Sequence, residues 1–280
     1  MLPKISAKWK KKIAKLVVDE SATEKLTLNT DHDSAYDRFG ANKAWVGFSA
    51  KLCRFLYESY FRVESNGASK IPLKGPVIFT ANHGGTIPLD GIMLYQDILK
   101  QTKGKRLARP IADFFVSKMP LISIVFSRVG VVPGARSNVD YLLSKGEALL
   151  IFPEGLPGIS KTFNHRYQLQ DWRPGHIELA QKHRAAILPV ALEGPDDQMP
   201  LLHKFERIKI LGAPYLPIPL TPVPLPVRYH IYYGDPIYPH KELDGSRGSF
   251  KNANELADHI KLTLQGMIDE GLAHRQGVFS

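Results

Sequence analysis

The chain has 280 residues, of which 44% are hydrophobic, and a net charge of +10. That length and apolar content suffice for one large domain with appendages around a buried core. The single cysteine, Cys53, excludes a disulfide framework and a cysteine-built zinc site and fits a reducing compartment.

The chain opens on its most basic segment. Lys4, Lys8, Lys10, Lys11, Lys12 and Lys15 are interleaved with Leu2, Ile5, Trp9, Ile13, Leu16 and Val17. Apolar residues near a 3.6 spacing on a lysine-rich background predict a basic amphipathic helix. It lacks the continuous apolar stretch of a secretory signal. A solvated arm and attachment to a membrane surface both remain open. Nucleic acid is a third option, but nothing resembles a zinc finger or an RNA-recognition signature. Asp19 to Gly40 is polar; its Asp31-His32-Asp33 looks like metal-ligand chemistry, although a solvated linker is the commoner meaning. From Ala41 to Phe61, Trp45, Phe48, Leu52, Phe55 and Leu56 give an aromatic-rich helical face. Such a face suits either the membrane interface or the core. Cys53 lies in this helix as a packed thiol.

Pro76 to Ala81 is the first strong strand, and it runs into Asn82-His83-Gly84-Gly85-Thr86-Ile87-Pro88-Leu89-Asp90. The glycine pair marks an exposed turn, and a helix over 89–100 follows. Neutral imidazole accepts a proton near pH 7, and a carboxylate on its other nitrogen fixes the tautomer and stabilises the cation. His83 and Asp90 thus suit activation of a hydroxyl for attack on an acyl group. A glycine turn with a capping Asp is the plainer alternative.

A strand over 107–112 and a helix over 117–127 come next. Met119 to Phe126 is the best continuous apolar run and is too short to cross a bilayer, so no transmembrane span is expected. The strand 130–133 leads through a turn to Arg136 and a helix over 137–145. The strand 148–153 ends in Phe152-Pro153-Glu154-Gly155, and a helix over 175–184 precedes the strand 186–192. Further strands are expected at 207–212 and 227–233. The prolines of 214–226 exclude helix or central strand; this stretch either covers the sheet or dips into lipid. In the last helix, 254–270, Leu256, Ile260, Leu264, Met267 and Ile268 repeat at helical spacing, which predicts docking by one face.

Strands alternating with helices imply an α/β fold, a single largely parallel sheet flanked by helices on both faces. The carboxyl ends of parallel strands form the ligand crevice, which would collect His83, Asp90, Arg136 and Glu154. No Gly-x-Ser-x-Gly elbow, dinucleotide fingerprint or P-loop occurs, so a serine-nucleophile route has no evident nucleophile.

This ordered set resembles the glycerolipid acyltransferase family, which includes the 1-acylglycerol-3-phosphate O-acyltransferases. The family's Asn-His, spacer, Asp block is matched by Asn82, His83 and Asp90. Its glycine followed six residues later by arginine is matched by Gly130 and Arg136. Phe-Pro-Glu-Gly is matched by Phe152 to Gly155, and the hydrophobic strand around a proline by Ile187 to Val190. The resemblance covers roughly residues 70 to 235. There are two departures. The His–Asp spacer has six residues rather than the commoner four, which is accommodated if Gly84-Gly85 loops out and Pro88 starts the helix. The usual Thr-Arg or Ser-Arg after the third block is replaced by Leu156-Pro157-Gly158-Ile159-Ser160-Lys161, which displaces positive charge to Lys161 or Arg166 and leaves the acceptor headgroup open.

The residue pattern predicts a basic, amphipathic helical appendage over 1–65, and with the resemblance an acyltransferase domain over 66–280 closed by the docking helix. It implies that His83 takes the proton of a glycerol-type hydroxyl as it attacks the thioester of acyl-CoA or acyl carrier protein, with Asp90 orienting His83 and no covalent intermediate. Arg136 would hold an acceptor phosphate. Asn82, Gly84, Gly85, Phe152, Pro153, Glu154, Gly155 and Lys161 complete the substrate-binding set. Glu154 would bond a hydroxyl or Arg136, and Gly84 and Gly85 would turn backbone N–H groups to the oxyanion. No metal or bound cofactor is implied. The expected partners are a lipid acceptor, the acyl donor and an anionic membrane surface, not nucleic acid, and the expected place is peripheral, on the cytoplasmic face of a membrane. The acceptor would be lysophosphatidic acid or another lysophospholipid, in phospholipid biosynthesis. The alternatives are diacylglycerol or another phosphate-free lipid alcohol, or a membrane lipid-binding scaffold that retains the fold.

Overall fold

The computed structural model describes residues 18–30, 34–119, 121–205, 216–243 and 248–280. The first seventeen residues of the basic segment, Asp31-His32-Asp33 and the strand expected at 207–212 lie outside them. The strands are β1 (Glu64–Asn66), β2 (Val77–Ala81), β3 (Ala108–Ala112), β4 (Val132–Pro133), β5 (Ala148–Ile151), β6 (Ala186–Glu193), β7 (Leu201–Phe205), β8 (Leu216–Pro219) and β9 (His230–Tyr233). The longer helices are α1 (Lys43–Phe55), α2 (Leu89–Gln101), α3 (Ile122–Arg128), α4 (Arg136–Ser144), α5 (Gly175–Lys182) and α6 (Ala253–His274).

Seven strands form one sheet in the order β1-β9-β6-β2-β5-β3-β4, and β7 pairs with β8 separately. Every pairing in the large sheet is parallel except β6 with β9. The sheet is therefore largely parallel, with β1 and β9 reversed at one edge. β2 lies at its centre and is buried on both faces, which is why it reads as an unbroken apolar run. Its alternate residues divide the core. Val77 and Phe79 pack with Leu94 and Ile98 of α2. Ile78 packs on the opposite face with Leu142 of α4, Ile177 of α5 and Ile260 of α6. Helices cover both faces, and α6 docks through Leu256, Ile260, Leu264 and Ile268 as its spacing predicts.

Three elements differ from expectation. The helix expected over 117–127 is a short 3-10 turn, Val116–Lys118, followed by α3. Met119 is extended, as a residue preceding a proline is forced to be. The strand expected at 227–233 starts at His230 and runs antiparallel to β6. The aromatic segment 41–61 divides between two surroundings. Tyr57 and Phe61 are buried in the core with Met93 and Tyr229, whereas Leu52 and Phe55 are exposed. The buried Asp97 carboxylate fastens this segment to the sheet, because it accepts from Tyr57 Oη at 2.5 Å and Tyr233 Oη at 2.6 Å.

Candidate active site

The site is built where β2 ends. Asn82 is fully buried, and its amide takes over from the ladder: it donates to Leu192 O at 2.9 Å and accepts from Leu192 N at 2.7 Å. This fastens the end of β2 to β6, so Asn82 positions the loop rather than facing a substrate. His83 follows, its backbone N–H donating to Glu154 Oε1 at 2.9 Å. Its ring stacks on Phe152, with centroids 4.2 Å apart and planes inclined by 18°.

His83 Nδ1 lies 2.5 Å from Asp90 Oδ2. Pro88 caps α2 and Asp90 sits in its first turn, so the six-residue spacer loops out and returns the carboxylate to the ring. The same Oδ2 accepts from Gly84 N at 3.0 Å, and Oδ1 faces Gly91 N at 2.7 Å. Asp90 is completely buried, while the His83 side chain keeps 12% of its surface. A carboxylate that accepts at Oδ2 calls for the proton on Nδ1, leaving Nε2 with its lone pair as the edge that can meet a substrate. Among the described residues Nε2 has no hydrogen-bond partner.

Glu154 and Lys161 have different surroundings from those expected. The Glu154 side chain has no exposed surface, and its oxygens accept from His83 N, from Gln170 N at 2.8 Å and from Lys161 Nζ at 3.4 Å. It does not pair with Arg136, because its acceptor sites are taken by the loop it braces. Lys161 is equally enclosed and bridges Glu154 to Asp196 Oδ2 at 3.5 Å, so it is an internal counter-ion rather than a headgroup contact. Arg166, the other destination for displaced charge, is half exposed over the Phe163 ring. Arg136 is the first residue of α4, 63% exposed, and pairs with Glu178 Oε2 of α5 at 2.8 Å. It shares the carboxyl edge of the sheet with His83 but stands three strands away, roughly 14 Å by strand spacing. The N–H of Gly84 is already given to Asp90, so of the glycine pair only Gly85 can offer a backbone donor to an oxyanion. Pro153 and Gly155 flank Glu154, and Gly155 opens the single helical turn Leu156–Ile159.

The structure adds residues that the sequence did not point to. The turn after β6, Gly194 to Gln198, forms the wall behind Gly84-Gly85. A Cβ at Gly84 would lie 2.4 Å from Asp196 Oδ1, and one at Gly85 would lie 2.4 Å from Gln198 Nε2. Asp196 accepts from Tyr167 N at 2.7 Å, and burial pushes its carboxyl up to about 6. Asp197 is held by Tyr167 Oη and Arg275 Nη1, each at 2.6 Å. Gly158 packs so closely that a Cβ there would lie 2.7 Å from the Cβ of His83. The nearest local signal was Pro195 with two carboxylates directly after an apolar strand, a pattern typical of a structured strand end. A small cleft beside the loop is lined by Gly85, Thr86, Lys161, Phe163, Arg166 and Met199.

A histidine–aspartate pair at the central carboxyl end of a largely parallel sheet, with no partner on Nε2 among the described residues, is an arrangement chemically able to accept a proton from a hydroxyl. The Acyltransferase family model matches residues 62–193, which contain the pair and Glu154. An uncharacterized protein of Mycobacterium tuberculosis is 32% identical over 262 residues, which covers 88% of this chain and 72% of the relative. A human protein described as "DGAT1/2-independent enzyme synthesizing storage lipids" is 28% identical over 239 residues, 82% of this chain and 69% of that protein. The crystal structure of the 1-acyl-sn-glycerophosphate (LPA) acyltransferase PlsC from Thermotoga maritima superposes with a TM-score of 0.55 and 18% identity, covering 83% of both chains, and thus shares the fold. The chain therefore carries a domain of the Acyltransferase family over residues 62–193.

Proposed function

We propose that the protein transfers a fatty acyl group from acyl-CoA or acyl carrier protein to the free hydroxyl of a glycerol-type lipid, with lysophosphatidic acid or another lysophospholipid as acceptor. The 2.5 Å contact of His83 Nδ1 with Asp90 carries this reading. Nε2 takes the hydroxyl proton as the oxygen attacks the thioester carbonyl. The tetrahedral intermediate then collapses, the C–S bond breaks, and the imidazolium returns its proton to the departing thiolate. Asp90 holds the tautomer and stabilises the cation between the two transfers. Arg136 supports a phosphate-bearing acceptor. Its pair with Glu178 is exposed and therefore weak, so an incoming phosphate can displace the carboxylate.

A second reading, transfer to diacylglycerol or another phosphate-free lipid alcohol, is favoured by one observation. Lys161 is sealed between Glu154 and Asp196, so the position nearest the glutamate offers no cation to a headgroup. The wording of the human relative's description points the same way. A radiolabelled acyl-CoA assay across glycerol phosphate, lysophospholipids and diacylglycerol decides between them. Under the first reading Arg136→Ala raises the acceptor KM with little change in donor KM. Preference of the wild type for diacylglycerol establishes the second. Loss of transfer to every acceptor in His83→Ala is common to both.

We also propose that the protein works as a peripheral protein on the cytoplasmic face of a membrane, held by its basic first segment. No helix among the described residues is long and apolar enough to cross a bilayer.

A further inference from the structure

The longer helices flanking the sheet each turn an apolar stripe inward, with one exception. α3 buries none of its residues. Ile122, Ile124 and Val125 are exposed, Leu121 immediately before it is 76% exposed, and Phe114 stands exposed on the same connection between β3 and β4. Leu121, Ile124 and Val125 stand at i, i+3 and i+4 and share one face, while Ser123 and Ser127 lie on another. The helix is amphipathic with its apolar side turned to solvent. This is the Met119–Phe126 run that is too short to span a bilayer, and the catalytic chemistry leaves it unused.

Charge and position select the occupant. From Phe114 to Ala135 there is no carboxylate, and the only charged residues are Lys118 and Arg128. Lys118, three residues before Leu121, is exposed, as a contact with an anionic headgroup layer requires. A two-fold contact with a second copy would instead bring equivalent cations toward one another, with only Asp113 at the start of the connection to offset them. The segment springs from the carboxyl end of β3, the edge that also carries His83 and the exposed Ile87.

We propose that Phe114 and the Leu121–Val125 face form a lipid-docking wedge. It lies in the headgroup boundary of the leaflet that holds the acceptor and seats the carboxyl edge of the sheet, with His83, against that leaflet. The choice of lipid as occupant rests on the lipid-acyltransferase reading.

The test uses the full chain and pure phosphatidylcholine vesicles at high salt, which suppresses the contribution of the basic first segment. The double variant Leu121→Glu, Ile124→Glu changes two exposed side chains, so its melting temperature should match wild type. Its partitioning should fall at least about tenfold, given the apolar area withdrawn from lipid. Transfer to a water-soluble short-chain acceptor should be retained. In parallel, Leu121→Trp should add blue-shifted, bromolipid-quenchable emission beyond that of the native Trp9, Trp45 and Trp172 in wild type, a readout that stands even if the double variant misfolds. Unchanged partitioning, or no quenching at position 121, overturns the proposal. So does wild-type self-association that the double variant abolishes, since the face would then cover a second copy. His83→Ala should bind vesicles as wild type does, so failure of the catalytic reading registers in turnover alone.

Discussion

Asp90 organises the candidate site, because its Oδ2 holds both the His83 ring and the Gly84 backbone. His83→Ala is expected to lose at least about two orders of magnitude in transfer rate at unchanged melting temperature, as for a lost general base. Asp90→Asn should fall less far, since the imidazole survives without its anionic partner. Steady-state rates beside melting curves check both, and near-wild-type turnover by the His83 variant would end the mechanism. Gly158 offers a subtler test. Alanine there would lie 2.7 Å from His83 Cβ and 2.9 Å from Glu154 Cβ, so the loop must shift. Displacement of about 1 Å costs on the order of a hundredfold in rate, so Gly158→Ala should lower kcat far more than it raises KM. A wild-type kcat would mean that His83 is held from elsewhere. His83, Asp90 and Glu154 were legible because their residue types advertise chemistry at strand ends. Gly158 and Asp196 were not, since only the assembled fold brings their segments against the His-Gly-Gly turn.

At the scale of elements, two buried groups behind the sheet's carboxyl edge set opposing pH dependences. His176 of α5 lies beside Trp172, and burial pushes its imidazole from 6.5 down to about 4. Between those values the unfolded chain takes up a proton that the folded chain refuses, so this contribution falls as pH falls. Asp196, raised by burial from 3.8 to about 6, acts in the other direction. There the folded chain keeps a proton that the unfolded chain releases, so stability rises as pH falls. The two nearly cancel between about pH 6 and pH 4. His176→Gln removes the first alone. Its melting temperature, relative to wild type, should climb as pH drops from 6.5 toward 4, for a gain reaching about 3 kcal/mol near the lower limit. Parallel profiles for the two proteins would refute the assignment. Legibility at this scale followed burial. β2, β5 and β6 are covered on both faces and show as apolar runs. β1 is Glu-Ser-Asn and has no apolar pattern, because it is set by pairing with β9 rather than by burial. The reversal of β9 was equally hidden, since an apolar run carries no sign of its direction.

For the whole molecule, the question is how the chain is divided between catalysis and attachment. The appendage expected over 1–65 could serve attachment to a membrane, yet part of it, Tyr57 and Phe61, is core. Phe61 is fully buried against Tyr229, and Tyr57 donates to the buried Asp97. Deleting 1–62 would therefore leave Asp97 short of a donor and open the cluster around Met93, so the truncated chain should not fold. Attachment must be tested with the chain intact, through the charges alone. Each of the leading lysines that reaches an anionic surface is worth about 1 kcal/mol. Reversing Lys8, Lys10, Lys11 and Lys12 to glutamate should lower binding to phosphatidylserine-containing vesicles at least about tenfold at low salt. The difference from wild type should vanish as salt shortens the screening length. Binding to pure phosphatidylcholine should stay as it was, because that component depends on the exposed apolar face of α3 and not on charge. Undiminished binding to anionic vesicles by the reversed chain would remove the basic segment from the attachment and leave that face to carry it alone.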